Sequence, residues 1–170
     1  MDDWISVVIS CTGLLIVFIG WNVIYRNAKR IATRAETKSI LDDIIKHIND
    51  IESNATNYWL SGRRERVDHE NYELLLMAKR NVLASRIELL TIRNITVCDK
   101  SHDNLSNMFE YALLDCEAAD QTSADKRREI AQNILNASTE LVMSLYNNFA
   151  VHYRPQAEAK SIWRIIKGSF

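Results

Sequence analysis

Glycine occurs 4 times and proline once in 170 residues, so the turn chemistry that a sheet of several hairpins needs is missing. Neither sign of charge dominates. The 21 Lys and Arg are balanced by 22 Asp and Glu, a net charge of −1, and this gives no global attraction to nucleic acid. The 3 cysteines, Cys11, Cys98 and Cys116, show no Cys-x-x-Cys or metal-ligand spacing, so buried reduced thiols are expected and neither metal nor cofactor is. No HExxH, Walker loop or GxSxG occurs, and none of His47, His69, His102 and His152 has Glu three residues before it. These absences remove the zinc hydrolases, the P-loop enzymes, the serine hydrolases and the di-iron bundles. No small-molecule substrate is evident.

What is present is an uncharged apolar run from Trp4 to Tyr25. About 20 residues at roughly 1.5 Å each match a hydrocarbon layer roughly 30 Å thick, so the run is expected to cross a bilayer as one helix. Residues 1–3 are then a short extracytoplasmic N-terminus, carrying Asp2 and Asp3. Arg26, Lys29, Arg30, Arg34 and Lys38 follow the run, and cations beside a span stay on the cytoplasmic side. Trp4 at one end, with Trp21 and Tyr25 at the other, fits the two interfacial belts. An acidic leader and the poor cleavage site at Gly20-Trp21-Asn22 argue against a removed signal peptide. The expectation is a single-pass protein of the cell (inner) membrane, N-terminus outside and C-terminal domain cytoplasmic. Four N-glycosylation triplets, at Asn54, Asn94, Asn104 and Asn136, point the other way; two fall inside strong helical patterns, and all four read as accidental.

Small residues Ser6, Ser10, Gly13 and Gly20 form a strip along the run, a face on which two helix backbones can approach closely. Counting sevens from Ser6 through Gly13, Gly20, Asn27 and Arg34 leads to Leu41, Ile48 and Ala55. Within residues 26–60, a juxtamembrane basic segment and long first helix, Leu41, Ile44, Ile48, Ile51, Ala55 and Tyr58 alternate at spacings of three and four, an apolar seam with coiled-coil spacing. Ile40 and Ile45 widen it, which suits a bundle better than a two-stranded zipper.

The remaining bundle helices fill residues 61–153. Ser61-Gly62 and the charged run to Asp68 form a turn, and Asp68 caps a second helix reaching to about Val97, with Tyr72, Leu75, Leu76, Val82, Leu83, Ile87 and Leu90 inward. Asp99 to Asp103 is a polar break. A third helix carries Leu105, Met108, Phe109, Ala112, Leu113 and Cys116 on one face. Thr122 with Asp125 caps a fourth, with Ile130, Ile134, Leu135, Leu141, Val142, Leu145 and Phe149 at helical period, and Arg154-Pro155 closes it. Residues 154–170 form a short amphipathic tail, with Ile162, Trp163, Ile165 and Ile166 opposite Lys160, Arg164 and Lys167. It either lies in the headgroup layer or closes the bundle. The fold class is therefore all-α: one transmembrane helix, an antiparallel cytosolic bundle of about four helices, and the tail.

The segment Arg64-Glu65-Arg66-Val67-Asp68-His69 resembles the Arg-x4–6-His element of HEPN ribonucleases, helical bundles in which that Arg and His act on the RNA phosphodiester. The resemblance covers six residues. In that family the element lies late in the bundle, whereas here it falls in the first turn after the juxtamembrane helix. It implies Arg64 and His69 as catalytic candidates. Glu65, Asp68 and Glu70 alternate with Arg63, Arg64 and Arg66 and cancel much of their field, so no specific nucleic acid is expected. The reading the residues favour is an anchor, scaffold or signal relay working through other proteins, itself included as a homo-oligomer. A membrane-perturbing effector or toxin assembling through the span is the alternative, and a HEPN-like ribonuclease the further one.

Overall fold

The computed structural model describes residues 2–95 and 97–153, with only the helical backbone given for Asp2, Asp3, Ser6 and Ile9. The expected tail at 154–170 lies outside the described residues, as does the Arg154-Pro155 step. Among the described residues the chain is all-α, with four helices and no strand: α1 (Asp2–Leu60), α2 (His69–Ile92), α3 (Asp99–Leu113) and α4 (Ala124–His152). It divides into two units, Met1–Lys38 and Ser39–Phe170.

The first unit is the leading part of α1. Among the described residues no helix is long and apolar enough to cross a membrane. Asn22, Arg26 and Asn27 interrupt the apolar run on its C-terminal side.

The second unit is a four-helix bundle. Every residue of the expected seam is buried: Leu41, Ile44, Ile48, Ile51, Ala55 and Tyr58. Tyr58 stacks on Tyr72 with ring centroids 3.7 Å apart, and Asp43 pairs with Arg86 near the far end of the same two helices. Residues later in α1 thus meet residues earlier in α2, so the two run antiparallel. Ser101 with Ser144 and Lys100 with Glu140 join the start of α3 to the later part of α4, again antiparallel. At the opposite end the indole N–H of Trp59 and the phenol of Tyr72 both donate to the Ala112 carbonyl, at 3.1 and 2.9 Å. Ala112 is in the last turn of α3, where carbonyls have no helical partner, so two aromatic donors cap it from the core.

Asp68 caps α2 as the sequence indicates, its carboxylate accepting from the Glu70 N–H at 3.2 Å. The other boundaries shift. α2 stops at Ile92, short of Val97, because Asn94 adopts the left-handed region at φ 61°. The Asn94 N–H then bonds Thr91 O at 2.9 Å and the Ile95 N–H bonds Leu90 O at 3.0 Å, while Ile95 is buried beside Leu90. This is a Schellman ending, with Asn in the place glycine usually takes. Asp99 to Asp103, expected as a break, is the first turn of α3, where Asp99 complements the helix dipole. Cys116 does not extend α3; Asp115 at φ 56° turns the chain into a single 3-10 turn, Cys116–Ala118. Ser123, one residue after Thr122, caps α4, its Oγ accepting from the Lys126 N–H at 3.3 Å. Leu75 and Val82, expected inside, are exposed on the outer side of α2.

Candidate functional site

The leading part of α1 shows its chemistry on every side. From Trp4 to Tyr25 all described side chains are exposed; Ile16 is 65% and Trp21 73% exposed. Thr12 Oγ1 donates to Val8 O at 2.8 Å, so the hydroxyl is satisfied inside the helix and does not demand water. On the small-residue strip Ser10 is exposed, and a Cβ placed at Gly13 or Gly20 would meet nothing within 4 Å. Ser6 has no described side chain. Phe18, Trp21, Asn22, Tyr25, Arg26 and Lys29 line a shallow groove where rings give way to cations. Arg30 and Arg34 continue the cationic side, both exposed.

The turn before α2 holds the Arg–His candidates apart in role. Arg66 is the arginine the fold uses: Nε donates to Tyr58 O and Nη2 to Ser61 O, each at 3.0 Å, and Nη1 pairs with Asp120. Its guanidinium also lies 5.4 Å from the Tyr58 ring centroid. Arg63 reaches Asp120 at 3.2 Å from the solvent side. Arg64 is exposed, and His69, at the start of α2, has Asp68 at 3.7 Å. A small cleft at this turn is lined by Tyr58, Arg63, Arg66, His69 and Asp120 among others; Arg64 is not part of its wall. Burial raises the phenols of Tyr58 and Tyr72, Tyr72 the more, which keeps both neutral as donors to Cys116 O and Ala112 O.

A third cluster escaped the sequence. Cys98, the residue before α3, has its sulfur 3.3 Å from Ser101 Oγ and 3.3 Å from Ser144 Oγ, and the two hydroxyls are 2.6 Å apart. The hydrogen bonds from Ser101 and then Ser144 stabilise the thiolate and lower the Cys98 pKa to about 6, with Asn148 assisting. Asn104 Nδ2 is buried without a hydrogen-bond partner among the described residues. Cys116 behaves oppositely: burial first, then Glu117 and Glu73, raises its thiol. The sequence reads the stretch after Cys98 as a polar break and so misses the helix start that places Ser101, while Ser144 is far along the chain and gave no local signal. Among the described residues no group of His, Cys, Asp and Glu is placed to hold a metal ion.

The glycosylation triplets acquire positions as well. Asn104 is buried and Asn94 forms the left-handed helix ending, while Asn54 and Asn136 lie within α1 and α4. Comparison with known proteins finds no matching family model, no matching curated protein and no matching solved structure.

Proposed function

We propose that the chain is a single-pass membrane-anchored helical bundle that works through protein–protein contacts, as an anchor, scaffold or relay. The observation that supports this is the apolar surface of α1 between Trp4 and Tyr25. Fourteen large apolar side chains there are more than half exposed. At roughly 1.5–3 kcal/mol per fully transferred side chain, leaving them in water forgoes on the order of 15–30 kcal/mol. That exceeds the about 5–15 kcal/mol by which a typical domain is stable, so the segment needs an apolar medium. The exposure surrounds the helix, which fits lipid better than a single partner groove. Residues 4–9, four of them large and apolar besides Ile9, belong to the same uncharged run, which from Trp4 to Tyr25 is long enough for a hydrocarbon layer roughly 30 Å thick. Arg26, Lys29, Arg30 and Arg34 favour the cytosolic side for the bundle.

The experiment is carbonate extraction of membranes from cells expressing tagged full-length chain, with protease added outside intact cells. The expected result is retention in the pellet and protection of the C-terminal tag. Chain in the wash, or digestion of the bundle from outside, sinks the proposal. The effector reading draws on the open strip at Gly13 and Gly20; dye leakage from cells expressing the wild type distinguishes it, and no leakage at high expression removes it.

A further inference from the structure

Helix α2 carries two apolar stripes, and the bundle buries one of them. Leu76, Leu83 and Leu90 are buried, each seven residues from the next. One residue before each lies Leu75, Val82 and Leu89, which are 44%, 43% and 46% exposed. Ala78, Ser85 and Ile92 fall between and after them, so the exposed residues run 75, 78, 82, 85, 89, 92, alternating steps of three and four. Ile92 at the end is 68% exposed. This is the a/d spacing of a coiled-coil seam held on the outside of a folded bundle.

We infer that this outer stripe of α2 pairs with the same stripe of a second copy of the chain, in parallel. The pattern is self-complementary, with small Ala78 and Ser85 alternating with larger neighbours so that two such helices approach closely. Charge selects the direction. Residues on one flank, Lys79, Arg86 and Arg93, are cationic, and those on the other are Leu74, Asn81 and Glu88. An antiparallel pair sets Lys79 against Arg93 of the second copy. A parallel pair sets Glu88 against Arg93 and Asn81 against Arg86 instead, and leaves no like charges opposed. Arg86 is steadied for this by its own-chain pairing with Asp43. Area sets the regime: the stripe offers roughly 400 Å² per copy, about half of the ~800 Å² per partner of a freely associating complex. A pair of this size forms when both copies are confined to one membrane, which raises their effective concentration. The inference therefore rests on the anchored reading above.

The test uses full-length chain in native membranes with Cys11→Ser and Cys98→Ser as background, leaving buried Cys116. Ile92→Cys is compared with Gln132→Cys, an exposed site on α4, under a short bismaleimide. The expected result is at least about tenfold more crosslinked dimer at 92 than at 132, falling to the level of 132 when Val82→Glu or, separately, Leu89→Lys is added. Unchanged helical signal and unfolding midpoint in detergent confirm that these exposed substitutions leave the bundle folded. Equal crosslinking at 92 and 132, or a 92 crosslink indifferent to both substitutions, overturns the pairing. So does a 92 crosslink that appears only after residues 154–170 are deleted, which would mean the tail covers the stripe. Chain that pellets with carbonate-washed membranes yet gives no dimer sinks the pairing and spares the anchor; chain found in the wash sinks both.

Discussion

Replacing Arg66 with Met isolates what the charged turn does. The Arg66 side chain is 5% exposed despite its charge, whereas Arg63 beside it is 83% exposed. Methionine keeps most of the stem that packs there and removes the guanidinium. Two carbonyls, of Tyr58 and Ser61, lose a charged donor, and the Tyr58 ring loses its cation. Hydrogen bonds to charged groups contribute about 1.5–3 kcal/mol each, so two give about 3–6 kcal/mol. Water entering a turn at the surface recovers part of this, and Asp120 is 40% exposed and still has Arg63. The expected loss for Arg66→Met is therefore about 2–4 kcal/mol, against about 0.5 kcal/mol or less for Arg63→Met. Urea unfolding of the full chain in detergent micelles, followed by far-ultraviolet circular dichroism, measures both. Equal midpoints for Arg66→Met and wild type, or equal costs for the two substitutions, would refute the argument. In that event the guanidinium is not a staple of the turn.

Ile48→Asp puts a carboxylate at a fully buried seam position and is expected to cost several kcal/mol or abolish the bundle, read by the same melts. Cys98 should alkylate with neutral iodoacetamide at a rate that levels off by about pH 7, since its pKa is lowered from 9.0 to about 6; Ser144→Ala should move the midpoint upward, and a rate still climbing steeply above pH 8 would refute the cluster. The sign for stability follows: between about pH 6 and 9 the native state binds fewer protons at Cys98 than the unfolded chain, so this contribution grows as pH rises through that window and is lost as pH falls through 6. Ile16→Arg with Val17→Arg should release the chain from carbonate-washed membranes, because each arginine at the centre of a span costs about 2.5–3.5 kcal/mol; full retention would argue against a span. Gly13→Leu with Gly20→Leu should weaken self-association within the membrane, and unchanged crosslinking would leave the strip as decoration of a simple anchor.

The seam from Leu41 to Tyr58 was legible because, Ile45 apart, the residues between its members are polar, which leaves one face to bury. Asp68 was legible because its carboxylate acts on the very next residues. What the sequence hid is instructive in two ways. Asn94 ends α2 by adopting a left-handed conformation that glycine adopts far more often, so an apolar pattern continuing to Val97 looked like more helix. Cys98 owes its acidity first to Ser101 and then to Ser144 across the α3–α4 contact, and the second is a neighbour that only the packed bundle supplies.

Helix α2 poses the harder case. Leu75, Val82 and Leu89 have the same spacing and nearly the same hydrophobicity as Leu76, Leu83 and Leu90, so periodicity assigns Leu75 and Val82 to the core beside the second set. A helix in a four-helix bundle turns a limited arc toward its neighbours, and the two stripes together are wider than that arc. The first set is then left outside by geometry, whatever its preference. An apolar row kept outside at regular spacing carries a continuing risk of aggregation unless something covers it. The exposed side of α4 mixes charged residues such as Lys126, Glu129 and Glu140 with Met143, Tyr146 and Val151. On α2 the outer row keeps alternating steps of three and four from Leu75 to Ile92, and that regular seam is the physical reason for looking to a second copy there.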